Sequence, residues 1–315
     1  MLKIVLLLSG GMLVIIQQYI LPLDNNTQFI IFLFGILLLG VPHGAADVLV
    51  ATQNANSDKK LFSKIRFLAV YILRLFTFGA ILWFFPLTGN LLFILFAAYH
   101  FGETDLHQFK TNTLSGKAFV ISYGLLILSV IVLPHFEAVK PLFQLFSAGK
   151  QHSVVIDWLD RKRYNIIAVS GILFFTSTFI YFLLNRNPGA NDDRGQFLVR
   201  FAAILLILFN LPMLLGFTFY FVVWHSVLSL ANITAYLRKN NAYTKYSIKR
   251  EIALYSLVAV GGIALFGFAG IMFISSNAIA GYLFLGLAVL TAPHMQVMHD
   301  MYCSLRRQGQ TVHTM

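Results

Sequence analysis

The sequence predicts an all-α protein: a polytopic transmembrane bundle of eight to ten helices, forming a single integral membrane domain over residues 1–315. Three observations carry that expectation. Of the 315 residues, 58% are hydrophobic and only 11% charged, with a mean hydropathy of +0.76. A water-soluble domain of this size cannot cover so much apolar side chain with polar surface. Several apolar runs reach the ~20 residues that a helix needs to cross a hydrocarbon core. Lysine and arginine gather in the short loops between those runs, the pattern that sets membrane orientation.

The elements follow in order. The first run, about 4–23, opens as KIVLLLSGG with a thin basic start and shows no small-x-small cleavage site before Asp24. It reads as an uncleaved first helix rather than a signal peptide. Further runs lie at about 28–51, 65–88, 90–109, 118–134, 164–184, 251–274 and 277–302. The run 197–237 is too long for one crossing and holds Asn-Leu-Pro at 210–212, where proline disfavours continuation, so two helices are expected there. Residues 135–163 hold short apolar patches between Glu137, Lys140, Lys150, Asp157 and Asp160, and read as interfacial or re-entrant. No internal repeat and no low-complexity linker divides the chain.

The formal charge of +11 raises nucleic-acid binding, but the basic residues sit in inter-helix loops rather than on one face. The 52–66 loop carries Lys59, Lys60, Lys64 and Arg66, while PLTGN at 86–90 carries none. Lys110 and Lys117, the basic cluster from Arg238 to Arg250, and Arg306 and Arg307 all fall on the same, cytoplasmic side. Arg161, Lys162 and Arg163 join them only if 135–160 returns through the membrane. The one cysteine, Cys303, excludes an internal disulfide and a cysteine metal cluster, and reads as a small apolar residue.

Nine histidines are present, and four lie inside spanning runs: His43, His100, His225 and His294. They stand 8, 9, 12 and 8 residues before positions 51, 109, 237 and 302, the cytoplasmic ends of their runs. At ~1.5 Å per residue those offsets are depths of roughly 12–18 Å, one common layer. A single intramembrane histidine is often a hydrogen-bonded packing residue. Four at one depth would each need a polar partner in hydrocarbon, and a shared metal ion supplies one partner for all. Asp47 follows His43 by four residues and Glu103 follows His100 by three, so each carboxylate shares its histidine's face and can serve as an outer hydrogen-bond partner. Ser229 and Asn232 extend a polar stripe after His225, and Thr291 precedes His294 by three. Asp105 turns away from His100 and reads as an interfacial charge. His107, His135, His152, His299 and His313 are assigned no metal.

Histidine ligands with few direct carboxylates exclude the hard oxygen-binding ions and leave zinc, copper or iron. Walls of Phe, Leu, Val and Ile, with 31 phenylalanines in the chain, suit a long apolar substrate. Ferrous iron with open positions binds dioxygen while the protein orients substrate and excludes water. The residues therefore point to a membrane metal oxygenase for a lipophilic substrate.

The segments VPHGAADVLV, AAYHFGETDL, YFVVWHSVLSL and LTAPHMQVMHDM resemble the four histidine-bearing motifs of the Brp/Blh family, the bacterial and archaeal β-carotene 15,15′-dioxygenases. The similarity covers most of the chain. It implies an iron-dependent integral enzyme of the cell membrane, with Fe(2+) as cofactor. That enzyme splits β-carotene with dioxygen at its central double bond into two retinals, beside a retinal-binding rhodopsin. By resemblance, His43, His100 and His225 fall on iron-binding histidines. Many members carry a second histidine one turn after the Trp-His-Ser histidine; here that place is Ser229, and His294 is taken as the fourth ligand. Three other readings stay open: an intramembrane ion or proton transporter, a diiron desaturase or hydroxylase, and a non-catalytic rhodopsin assembly factor. The transporter would call for inverted repeats, and the diiron enzyme for histidine clusters at helix ends; the sequence shows neither.

Overall fold

The computed structural model describes residues 1–145, 150–185, 191–238, 244–273 and 279–307, with side chains described outside 142–153, 191–193 and 266–284. Among the described residues the chain forms eleven helices and no strand. They are α1 (Leu2–Ile20), α2 (Asn25–Ser57), α3 (Lys64–Phe84), α4 (Pro86–Asp105), α5 (Leu114–Val132), α6 (Phe136–Leu145), α7 (Lys150–Leu184), α8 (Asn191–Asn210), α9 (Met213–Arg238), α10 (Lys245–Phe273) and α11 (Ile279–Arg307). Eight to ten were expected. The extra one is α6, a short amphipathic helix inside the segment read as interfacial.

Local chemistry sets the ends. Asp24 accepts the Thr27 amide at 2.8 Å and caps α2, while Ser63 and Thr113 cap α3 and α5 in the same way. The Asn-Leu-Pro break falls as expected, with α8 ending at Asn210 and Pro212 standing as the N-cap of α9. PLTGN is a different case. It was read as a loop, but Pro86 opens α4 at its first position, where its missing amide costs nothing, and the break is a single residue at Phe85.

Among the described residues, six stretches are long and apolar enough to cross a membrane: α1, α2, α3, α5, residues Val154–Leu184 of α7, and α9. They differ in burial. In α9, 67% of the apolar window is buried, against 11% in α1 and α3, so α9 is the central post and α1 and α3 lie outside. Ile4, Leu8, Met12 and Ile15 of α1 point outward, each more than half exposed, as suits a helix solvated by lipid rather than water. One core joins α1, α4, α5, α7, α8 and α9; a second joins α2, α9, α10 and α11, so α9 belongs to both.

Close approach of α4 to α5 depends on two glycines. A Cβ at Gly124 would overlap the Ala98 carbonyl, and one at Gly102 would overlap the Val120 carbonyl. Small residues at such crossings let two backbones touch where there is no hydrophobic drive between helices. Ion pairs within and between α6 and α7 hold Arg163 locally. Its guanidinium lies 3.2 Å from Asp160, and Lys140 lies 3.3 Å from the same carboxylate and 3.5 Å from Asp157. A paired arginine inside a helix differs from a free loop charge, so Arg163 is not simply counted by the loop rule.

Candidate metal centre

Each of the four candidate histidines comes from a different helix, and the local backbone explains how they are aimed. In α2 the stretch Ile36–Gly40 winds as a π-helix immediately before Val41-Pro42-His43, and the helix is interrupted again at Ala46. In α9 the stretch Thr218–His225 is also π-helical and ends on the histidine itself. Such insertions turn the following residues about the axis and recur at functional sites. His100 lies in regular helix in α4, and His294 follows Pro293 in α11.

The four rings close on one another. Ring centroids are 4.7 Å apart for His43–His294, 5.2 Å for His294–His100, 4.8 Å for His100–His225 and 5.7 Å for His225–His43. All four residues are buried, with exposures of 4, 2, 0 and 3% for His43, His100, His225 and His294. Nε2 of His225 stands 3.1 Å from Nε2 of His100. Nδ1 of His43, His100 and His225 and Nε2 of His294 have no hydrogen-bond partner. Buried polar atoms normally find one, so four such nitrogens in one cluster need an explanation. Among the described residues, no group of three or more His, Cys, Asp or Glu side chains is set to hold a metal as it stands. Phe221 stacks on His225 at 6.0 Å and 13°, and Phe101 meets the same ring edge-on at 4.8 Å, forming an aromatic wall.

The carboxylates act on different partners from those expected. Asp47 was assigned to His43; instead its Oδ1 accepts from Nδ1 of His294 at 2.8 Å and its Oδ2 from the Tyr71 hydroxyl at 3.0 Å. Asp47 therefore ties α2 to α11 and fixes the tautomer of His294, leaving Nε2 free toward the cluster. Glu103 was assigned to His100, but it accepts from Arg306 at 2.6 Å and from Tyr99 at 3.3 Å, with His299 at 3.1 Å. It faces α11 one turn below the imidazoles.

Asp105 is not an interfacial charge. It is buried, and its Oδ2 accepts from Tyr123 at 2.5 Å, Trp224 at 2.9 Å and Tyr220 at 3.0 Å. Five residues after His100, it binds α4 to α5 and to the part of α9 that ends in His225. Sequence reasoning missed this hub, although Tyr220 and Trp224 at four-residue spacing immediately before His225 form a donor stripe that could have signalled it. Ser229 is fully buried with an unpartnered hydroxyl, Asn232 donates to Tyr302 at 3.0 Å, and Thr291 bonds back to the Leu287 carbonyl. His107 stacks near Tyr302 and His135 lies at the start of α6, both apart from the cluster. His152 and His313 lie outside the described side chains.

Comparison with known proteins agrees with the motifs. The family model described as "Beta-carotene 15,15'-dioxygenase" matches residues 34–302, a span that holds all four histidines. A protein of the uncultured marine bacterium 66A03 named beta-carotene 15,15'-dioxygenase is 23% identical over 260 residues, covering 82% of this chain and 89% of the relative. No solved structure matches. With most of its length inside that family match, the chain belongs to the beta-carotene 15,15′-dioxygenase family.

Proposed function

We propose that this chain is an iron-dependent dioxygenase of the cell membrane that cleaves β-carotene at its central double bond into two retinals. In this reading His43, His100, His225 and His294 hold Fe(2+), the lipid bilayer supplies the carotene, and a retinal-binding rhodopsin takes the product. One observation carries the assignment: four buried imidazoles from four helices form a closed ring in which Nε2 of His294 is unpartnered and Nε2 of His100 and His225 face only each other. The spacing fits as well. Metal–imidazole bonds of about 2.1 Å put two nitrogens roughly 3.0 Å apart at a right angle and roughly 3.4 Å at a tetrahedral angle. The His100–His225 separation of 3.1 Å falls in that range.

Bound there, ferrous iron would supply the open coordination positions at which dioxygen is activated. The chain's own groups do the rest. Asp47 keeps the proton of His294 on Nδ1, so its other nitrogen presents a lone pair. Phe101 and Phe221, buried and tilted 55° to one another, give the imidazoles an aromatic, water-excluding wall suited to a conjugated polyene. Both oxygen atoms enter the two aldehydes, so the reaction consumes no external reductant.

The test is expression in a carotene-producing host, with retinal quantified alongside metal content of the purified protein. About one iron per chain and retinal formation are expected, both lost on alanine substitution at His43, His100 or His225. Full iron occupancy in all three variants would sink the shared site. Retinal-free cells with abundant folded protein would point instead to the assembly-factor reading.

A further inference from the structure

At the C-terminal end of α11 a second polar cluster stands apart from the four imidazoles. Cys303 reads in the sequence as a small apolar residue, yet it is only half-buried and its sulfur faces two nitrogen donors. Nε2 of His299 lies 3.4 Å from Sγ, and Nη2 of Arg306 lies 3.3 Å from it. Nδ1 of the same imidazole faces Glu103 at 3.1 and 3.2 Å, and Arg306 reaches Glu103 at 2.6 Å. Glu103 is buried, whereas the His299 side chain is 36% exposed. Tyr99 completes the carboxylate's shell, and Thr111 takes the other Arg306 amine at 3.2 Å.

This is the order of parts that activates a thiol. The carboxylate accepts Nδ1–H, so Nε2 is the atom that receives the thiol proton, and a guanidinium stands beside the sulfur that becomes charged. A structural cysteine in a helix bundle needs none of these neighbours. We infer that Cys303, His299 and Glu103 form a modification site at which the thiol attacks small anionic disulfides. The S–H proton moves to Nε2 of His299, and the sulfur bonds to one sulfur of the disulfide. The disulfide's own S–S bond breaks, and the released thiolate carries off the electron pair. No separate oxidant is required, and the Arg306 guanidinium beside the sulfur favours an anionic reagent.

The chain has one cysteine, so thiol chemistry on the whole protein reads this site alone. The probe is 5,5′-dithiobis(2-nitrobenzoate), with release of its coloured thiolate followed across pH on detergent-solubilised protein. The same chain unfolded in denaturant is the reference. The native rate is expected to inflect below the ~8.5 of a free thiol and to exceed the unfolded rate at pH 6 by at least ~3-fold. His299→Ala should return the inflection to the unfolded position, whereas Cys303→Ser should release no colour. A native inflection at or above that of the unfolded chain overturns the inference, as does a His299→Ala profile matching wild type. The native pH profile decides the matter even where His299→Ala fails to fold.

Discussion

Asp47 offers the sharpest test of how the histidine cluster is held. It is 2% exposed and accepts two hydrogen bonds, from His294 Nδ1 at 2.8 Å and from Tyr71 at 3.0 Å. Asp47→Asn keeps an oxygen for His294 and turns its amide toward the Tyr71 oxygen, so both contacts survive without the charge. A hydrogen bond to a charged group contributes about 1.5–3 kcal/mol and a neutral one about 0.5–1.5 kcal/mol. The difference of roughly 1–1.5 kcal/mol corresponds to about a 5- to 12-fold loss of metal affinity, at 1.4 kcal/mol per tenfold. Asp47→Ala removes both acceptors and leaves the His294 tautomer unfixed, so its loss should reach roughly 100-fold, the upper end for outer-shell partners. The assay is competition of purified protein against a chelator of known iron affinity, with thermal unfolding measured in parallel to separate site loss from fold loss. Wild-type affinity in both variants, alongside a metal-free His43→Ala, would refute the claim that Asp47 orients a ligand.

Four further outcomes follow from the same contacts. His294→Ala should lose iron while Ser229→Ala stays nearly active; Ser229→His, one turn from His225, should lower turnover by crowding the open position, and tighter iron binding in that variant with iron retained in His294→Ala would establish a three-histidine site instead. Asp105→Ala strands three buried donors, at about 1–3 kcal/mol each, so a strong loss of thermal stability is expected, with Asp105→Asn clearly milder; equal melting points for the two would remove Asp105 from its role as a hub. Glu103→Gln should lower stability by about 1–3 kcal/mol through its Arg306 partner while iron occupancy persists, because no contact links Glu103 to His100; a metal-free Glu103→Gln protein would restore the original assignment. Gly124→Val should prevent α4 and α5 from closing, since its side chain meets the Ala98 carbonyl, and normal yield and melting temperature would contradict that.

What the sequence determined by itself was the class of fold and the identity of the four imidazoles. Long apolar runs are a property of composition along the chain, and histidines counted to equal depth must meet if their helices are neighbours. The Asn-Leu-Pro break in 197–237 was legible for the same reason, since proline's missing amide acts locally. Partners were another matter. Asp47 lies one helical turn from His43, and Glu103 nearly one turn from His100, so spacing pointed each carboxylate to its own helix. The fold turned both toward α11, where His294 and Arg306 wait. Asp105 looked like an end-of-helix charge until three donors from α5 and α9 closed over it. Cys303 looked apolar until α11 brought His299 and Arg306 to its sulfur, with Glu103 behind them. Helical periodicity fixes which residues share a face, but which neighbour that face meets depends on how helices rotate and pack. Here two π-helical segments and the glycine contacts between α4 and α5 set that rotation, and only the tertiary structure records it.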